Sequence, residues 1–190
     1  MIIGITGKKG SGKDTIADIL SKEFGFHKLS LADPIKQSLN IVFGWNQRDW
    51  EPERKELVDE RWGISPRQAA QHLGTEWGQF GLIDSFPKFS EVTGRSLWVR
   101  SCLDKVKRYS SVSIADVRFL HEAVAIREEG GLIIRVSRHN DHTDTHPSET
   151  EMELIYPDYQ IMNDSGMDDL VKSVKEIMTV IRGNNAFRKD

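Results

Sequence analysis

Two hydrophobic periods alternate along this chain, and the switches between them mark out its elements. Residues 1–6 are a short apolar run, as in a strand buried on both faces; Ile16, Ile19, Leu20 and Phe24 then recur at helical spacing up to a stop at Gly25. Residues 26–31 read as a second short strand. Asp33 as N-cap and Pro34 at the first helical position open a helix striped by Ile35, Leu39, Val42 and Phe43, with Gly44 as its end. Ser65 and Pro66 repeat that signal. The helix they open, over 67–73, packs through Ala69, Ala70 and Leu73 and is predicted to stop at Gly74. Ser96 caps a helix striped by Val99, Cys102, Leu103 and Val106; Trp98 lies beside the stripe, as core margin or as a stacking platform. A strand over 112–116, a helix over 120–128 and strands over 132–136 and 159–162 follow. The last helix is striped by Leu170, Val171, Val174, Ile177, Met178 and Ile181, and from Gly183 the composition is that of a polar tail.

Three stretches have no clean period. Residues 45–63 set Trp45, Trp50 and Trp62 among dense charges around Pro52, which predicts a surface insertion or mobile lobe; residues 86–94 read as a linker; residues 137–147 are polar throughout. Five short strands alternating with helices predict a single three-layer α/β/α domain, with a five-stranded parallel sheet and ligands at the strands' carboxyl ends. Residues 33–95 and 137–149 form two polar excursions at that edge, a lobe and a lid.

Composition narrows the possibilities. The chain has 190 residues, enough for one α/β domain with a real core, and its net charge of −3 is spread without a basic stripe for duplex nucleic acid. One cysteine, Cys102, excludes an internal disulfide, and its place on an apolar stripe predicts a buried thiol. No run is long enough to span a bilayer, and the N-terminus lacks the basic region and cleavage site of a signal peptide, so a cytosolic protein is expected.

The chemistry is concentrated between the first strand and the first helix, in Gly7-Lys8-Lys9-Gly10-Ser11-Gly12-Lys13-Asp14-Thr15. Strand, glycine-rich turn and helix are the context of a phosphate-binding loop, whose inward N–H groups and helix N-terminus attract phosphate oxygens while Lys13 reaches the outer phosphates. Asp14 stands where a hydroxyl usually meets Mg²⁺, and Thr15 follows it. This is the form found in small-molecule and nucleoside monophosphate kinases. Elsewhere, Asp116-Val117-Arg118 falls at the carboxyl end of a strand: Arg118 can hold a phosphate and Asp116 can organise the water around Mg²⁺, or the two can pair or cap the next helix. Lys36 and Gln37 lie off their helix stripe. Arg67 and Gln71, four apart, suit a phosphate and a base, or form a solvated face. In the lid, Arg138 can close on the transferring group; His139, His142 and His146, with Asp141 and Asp144, are a weaker candidate for a metal site. Ser148 and Glu151 make a capping box where the lid ends.

Taken in order, Gly12-Lys13-Asp14-Thr15, Leu31-Ala32-Asp33-Pro34-Ile35-Lys36, Arg67 through Gln71 to Leu73-Gly74-Thr75, Asp116-Val117-Arg118, Thr145-His146 and Asn163-Asp164 resemble the bacteriophage-type deoxynucleoside monophosphate kinases. The resemblance covers nearly the whole chain and is least clear over 45–63. It implies a P-loop kinase fold, ATP as phosphoryl donor with Mg²⁺, a deoxynucleoside monophosphate as acceptor, and the host cytoplasm if the chain is phage-encoded. It further implies that Gly10, Ser11, Gly12, Lys13, Asp14 and Thr15 hold the ATP phosphates and that Thr15 and Asp116 serve the metal. Asn163 and Asp164 would border the ATP base, and Asp33, Lys36, Arg67, Gln71, Thr75 and Arg118 would line the monophosphate site. Lys13, Arg118 and Arg138 would be the catalytic cations. Neither nucleic acid nor membrane is an implied partner, and a homodimer is compatible with the reading. The alternatives are a related kinase acting on a phosphorylated metabolite or dephospho-coenzyme A, and a P-loop ATPase or switch protein.

Overall fold

The computed structural model of the protein describes residues 1–139 and 151–186. It divides into two compact units: Met1–Leu29 with the described residues from Lys105 onward, and Ser30–Asp104.

The first unit contains the sheet. Strands β1 (Ile2–Thr6), β2 (His27–Leu29), β3 (Val112–Ile114), β4 (Leu132–Ser137) and β5 (Tyr159–Met162) are all parallel, in the order β2-β3-β1-β4-β5. β1 is central, and every residue in it is buried, as its unbroken apolar run predicts. Ile3 and Ile5 point to one face, into a cluster with Ile16 and Leu20 of α1 (Lys13–Phe24) and Val174 and Met178 of the last helix, Met167–Ala186. Gly4 points the other way, where an added Cβ would meet Ile126 of the helix Leu120–Glu128 at 3.1 Å. Helices therefore cover both faces of the sheet, giving the expected three layers. Each fully buried Ile or Leu of this core contributes about 1.5–3 kcal/mol. Cys102 is buried. The final helix includes Gly183 and runs to Ala186, past the point where a tail was expected.

The second unit departs further from the sequence reading. Its first helix, α2 (Asp33–Phe43), begins one residue early: Asp33 is inside the first turn and its carboxylate accepts from the Ser30 N–H at 3.3 Å, while no side chain caps the helix. The helix opened by Ser65, α3 (Pro66–Gln71), does carry the capping box, with Ser65 and Gln68 bonding reciprocally. It does not stop at Gly74. The chain continues through wide π turns over His72–Gly81 and then α4 (Leu82–Ser85). The glycines there serve close approach instead of termination. A Cβ on Gly78 would fall 2.5–2.7 Å from the Trp98 ring, and Gly74 lies against Ile35 while its carbonyl accepts from Trp98 Nε1 at 2.8 Å. Trp98 is thus a packing residue. The supposed linker contains a further helix, α5 (Pro87–Val92), with Pro87 in its first turn; α6 (Leu97–Val106) follows.

Residues 45–63 are mostly exposed, as a surface segment should be, but Trp45 ties them to the helices of this unit. Trp45 is buried, stacks on Phe43 and joins a cluster with Ile35, Leu39 and Ala69. Its indole donates to Asp59 at 2.8 Å, Asp59 pairs with Arg61, and the Arg67 N–H donates to the Lys55 carbonyl at 2.9 Å. Arg61 and the Trp45 indole hold the Asp59 carboxyl well below the usual carboxylate range. Of the three tryptophans here, Trp62 is the exposed one, its indole donating to the Phe43 carbonyl.

Candidate active site

The phosphate loop leaves β1 and enters α1 at Gly12, which caps the helix in a left-handed conformation (φ 108°) with no side-chain partner. The first-turn N–H groups of α1 are therefore not capped by any side chain, which is the condition for anion binding there. Lys13 Nζ donates to the carbonyls of Gly7 and Lys8 at 2.5 and 2.7 Å, so its ammonium is held over the loop. Ser11 is fully buried, and its hydroxyl has no hydrogen-bond partner among the described residues.

A cavity of about 610 Å³ opens beside the loop, lined among others by Lys9, Gly10, Thr15, Arg138, Asn163 and Asp164. The structure thus brings five residues of the sequence reading, from three separate segments, into one place in the first unit. Parallel pairing does this: β4 and β5 flank the central strand in turn, and their carboxyl ends deliver Arg138 and the Asn163-Asp164 pair to the level of the loop. Asp164 accepts from the His139 backbone N–H at 2.9 Å and contacts its ring, and these bonds lower the Asp164 carboxyl below its ordinary value. Asp14 is exposed and is not among the residues lining this cavity.

Asp116 and Arg118 lie beyond β3, both half-buried. Neither caps the following helix, α7 (Leu120–Glu128). That part belongs to Glu122, whose Oε2 accepts from the N–H groups of Arg118 and Phe119 at 2.8 and 3.0 Å. Glu122 is 5% exposed, and burial pushes its carboxyl up to about 8 against the pull of those two N–H groups. The turn that carries Asp116 and Arg118 is thereby fixed from behind by a buried acid. The sequence signal for it was an acid three positions into a helix, the N3 position that reaches back to free N–H groups.

Arg135 was also missed, though a lone charge inside an apolar strand flags it. Its guanidinium bonds the carbonyls of Met152 and Ile155, tying β4 to the short 3₁₀ turn Glu151–Leu154; in that turn Glu151 accepts from the Leu120 N–H at 3.2 Å. Asp141, His142, Asp144, Thr145, His146, Ser148 and the lid beyond residue 139 lie outside the described residues.

Asp33, Lys36, Arg67, Gln71 and Thr75, which the sequence suggests for an acceptor, all belong to the second unit and are half-buried. Lys36 Nζ sits 5.9 Å from the Trp50 ring centroid. Arg67 and Gln71 share one side of α3, but the π turns that start at His72 widen the spiral, so Thr75 does not continue their line as an α-helix would place it. An apolar cavity of about 920 Å³ in this unit is lined by Leu39, Val42, Ile64, Trp77 and Trp98 among others; none of Asp33, Lys36, Arg67, Gln71 and Thr75 lines it.

A family model for deoxynucleotide monophosphate kinases matches the chain over residues 1–65 and 58–174. A protein of Acanthamoeba polyphaga mimivirus, provisionally named a deoxynucleotide monophosphate kinase, is 34% identical over 182 residues, 92% of this chain and 94% of its own length. The chain belongs to the deoxynucleotide monophosphate kinase family. It is a phosphotransferase of the nucleotide-binding P-loop kinase fold. A second relative, provisionally named an adenylate kinase from Sulfurisphaera tokodaii, is 55% identical over 38 residues, 20% of each chain. Among solved structures, shikimate kinase from Aquifex aeolicus superposes with a TM-score of 0.52 at 15% identity, over 97% of this chain and 98% of that one, and so shares the fold. Among the described residues, no helix is long and apolar enough to cross a membrane.

Proposed function

We propose that this family member transfers the γ-phosphoryl group of ATP to a deoxynucleoside 5′-monophosphate, giving ADP and the deoxynucleoside diphosphate. The observation that carries the reading is the cavity shared by Gly10, Thr15, Arg138, Asn163 and Asp164, which joins a phosphate loop to a mobile-group cation and two polar side chains suited to a nucleotide. In this reading the first-turn N–H groups and Lys13 hold the ATP phosphates, and Arg138 neutralises charge on the migrating group. Arg67 and Arg118 each suit an acceptor phosphate and Gln71 its base, with Asp33, Lys36 and Thr75 assigned to the acceptor as well. The attacking phosphate oxygen is already ionised near neutral pH, so the chain supplies position and positive charge and no strong base. The whole of residues 1–190 acts as one kinase, with 33–95 as the acceptor lobe and 137–149 as the lid.

The donor chemistry fits Mg²⁺. Thr15 lines the cavity, and the half-buried Asp116 follows β3, the strand beside β1. One or two hard oxygen donors, with phosphate oxygens and water completing the shell, are what Mg²⁺ takes in such sites. Bound there, Mg²⁺ would offset the charge of the phosphates.

The test is a panel of deoxynucleoside and ribonucleoside monophosphates, phosphorylated sugars and dephospho-coenzyme A, each incubated with γ-labelled ATP. Label should appear in deoxynucleoside diphosphates. Label confined to another acceptor, or released only as inorganic phosphate, would overturn the reading.

A further inference from the structure

Asn163 sits where β5 ends, 8% exposed, and its amide is turned toward the phosphate loop, donating through Nδ2 to the Ser11 carbonyl at 2.7 Å across 152 residues of sequence. Its own N–H donates to the Ser137 carbonyl at 2.8 Å, so the residue is anchored to the end of β4. The fit against the loop is close: a Cβ on Gly12 would lie 2.4 Å from Nδ2, so the amide occupies space that only a glycine leaves.

The bonded carbonyl belongs to the Ser11–Gly12 peptide. In a trans peptide the C=O and N–H point in opposite directions. Holding the Ser11 oxygen toward Asn163 therefore aims the Gly12 N–H away from it. With glycine on one side of that peptide, little in the local sequence opposes a flip that would turn the carbonyl outward and present an oxygen to an incoming phosphate. The Ser11 side chain forms no hydrogen bond among the described residues that could fix the peptide instead.

We infer that Asn163 is a positioning residue of the phosphate loop: its amide locks the Ser11–Gly12 peptide with the N–H facing the anion, a role different from contact with the ATP base. Asp164, next in the chain, holds His139 through its backbone N–H. The Asn163-Asp164 pair thus ties the phosphate loop to the root of the segment carrying Arg138. This inference rests on reading the loop as the ATP phosphate site.

Two variants of the full chain test it. Asn163→Ala removes the donor. Asn163→Asp keeps the shape but sets a carboxylate against the Ser11 carbonyl. ADP with Mg²⁺ is the probe, titrated by calorimetry, and kcat and KM for ATP and for the acceptor are measured alongside thermal unfolding. ADP affinity should fall roughly tenfold to a hundredfold, the range for leaving a buried carbonyl unpaired, and the fall should be greater for Asn163→Asp than for Asn163→Ala at neutral pH. The KM for ATP should rise in both variants and the acceptor KM should not. Unchanged ADP affinity, equal losses for ATP and acceptor, or a carboxylate tolerated better than alanine would overturn the inference. Failure of wild-type chain to bind ADP would instead overturn the reading of the loop.

Discussion

The two units place their candidate side chains by different means. In the first, main-chain pairing does it: β1, β4 and β5 lie side by side in parallel, and the loops leaving them have no choice but to meet at one edge. In the second, side-chain packing does it. Lys36, Arg67 and Gln71 stand on α2 and α3, and these helices are held by Trp45, Ile35, Leu39 and Ala69, by the Asp59 tether and by Trp98 lying against Gly74 and Gly78. A site built on backbone ladders tolerates change in any one side chain other than its own. A site built on packed indoles and glycines should be sensitive to substitutions that never touch substrate.

The largest expected effect separates chemistry from scaffold in the first unit. Lys13→Ala should lower kcat/KM about a hundred- to a thousandfold, the range for losing one preorganised charge on a phosphoryl transition state, while the urea midpoint stays where it was. Near-normal turnover by a folded variant would remove Lys13 from the site. In the second unit the corresponding change is remote from any ligand. Gly78→Ala forces a methyl against the Trp98 ring and should cost about 1–3 kcal/mol of stability, read from urea unfolding, with a raised acceptor KM and unaltered ADP binding. If ADP binding fell and the acceptor KM held, the contrast between the units would be wrong.

Acid–base behaviour offers a test in each unit, through Glu122 in the first, whose carboxyl is raised, and Asp59 in the second, whose carboxyl is lowered. Glu122 has a folded value of about 8 against an ordinary 4.5; its contribution to stability is whole below that ordinary value and is lost as pH rises through about 8. Glu122→Gln keeps an acceptor for the Arg118 and Phe119 N–H groups and cannot ionise, so its melting temperature should overtake that of the wild type on the alkaline side. Parallel curves for the two proteins would show that the buried acid is not titrating there. The smallest effect concerns Asp59, lowered from 3.8: what it contributes is present above that value and fades as pH falls below it. Asp59→Asn should flatten the acid limb of the unfolding curve and leave neutral-pH kinetics alone.

How legible each unit was in the sequence follows from the same physics. The five strands, the phosphate loop and α1 depend on local periods and on glycines in a fixed order, and each was found within a residue or two. Arg138, Asn163 and Asp164 met the loop as the parallel topology required, though the bond from Asn163 to Ser11 spans 152 residues and has no local signal. In the second unit, Gly74 read as a stop because glycine ends helices far more often than it serves as a packing surface; its reason, Trp98, lies 24 residues on. Trp45 among charges read as surface because its partners, Asp59 and the α2–α3 cluster, come from elsewhere in the chain. Even the early start of α2 is of this kind, with Asp33 bonding back to Ser30 where a forward cap was expected.

The central claim is that Lys13 and the phosphate loop of the first unit hold the donor phosphates, with Arg138 on the migrating group. A crystal structure of the chain with ADP, Mg²⁺ and a deoxynucleoside monophosphate tests it most directly. The ADP phosphates are predicted to lie in the loop under Lys13, with Arg138 directed at their outer end. ADP phosphates bound away from the loop, with Lys13 and Arg138 turned from them, would contradict it.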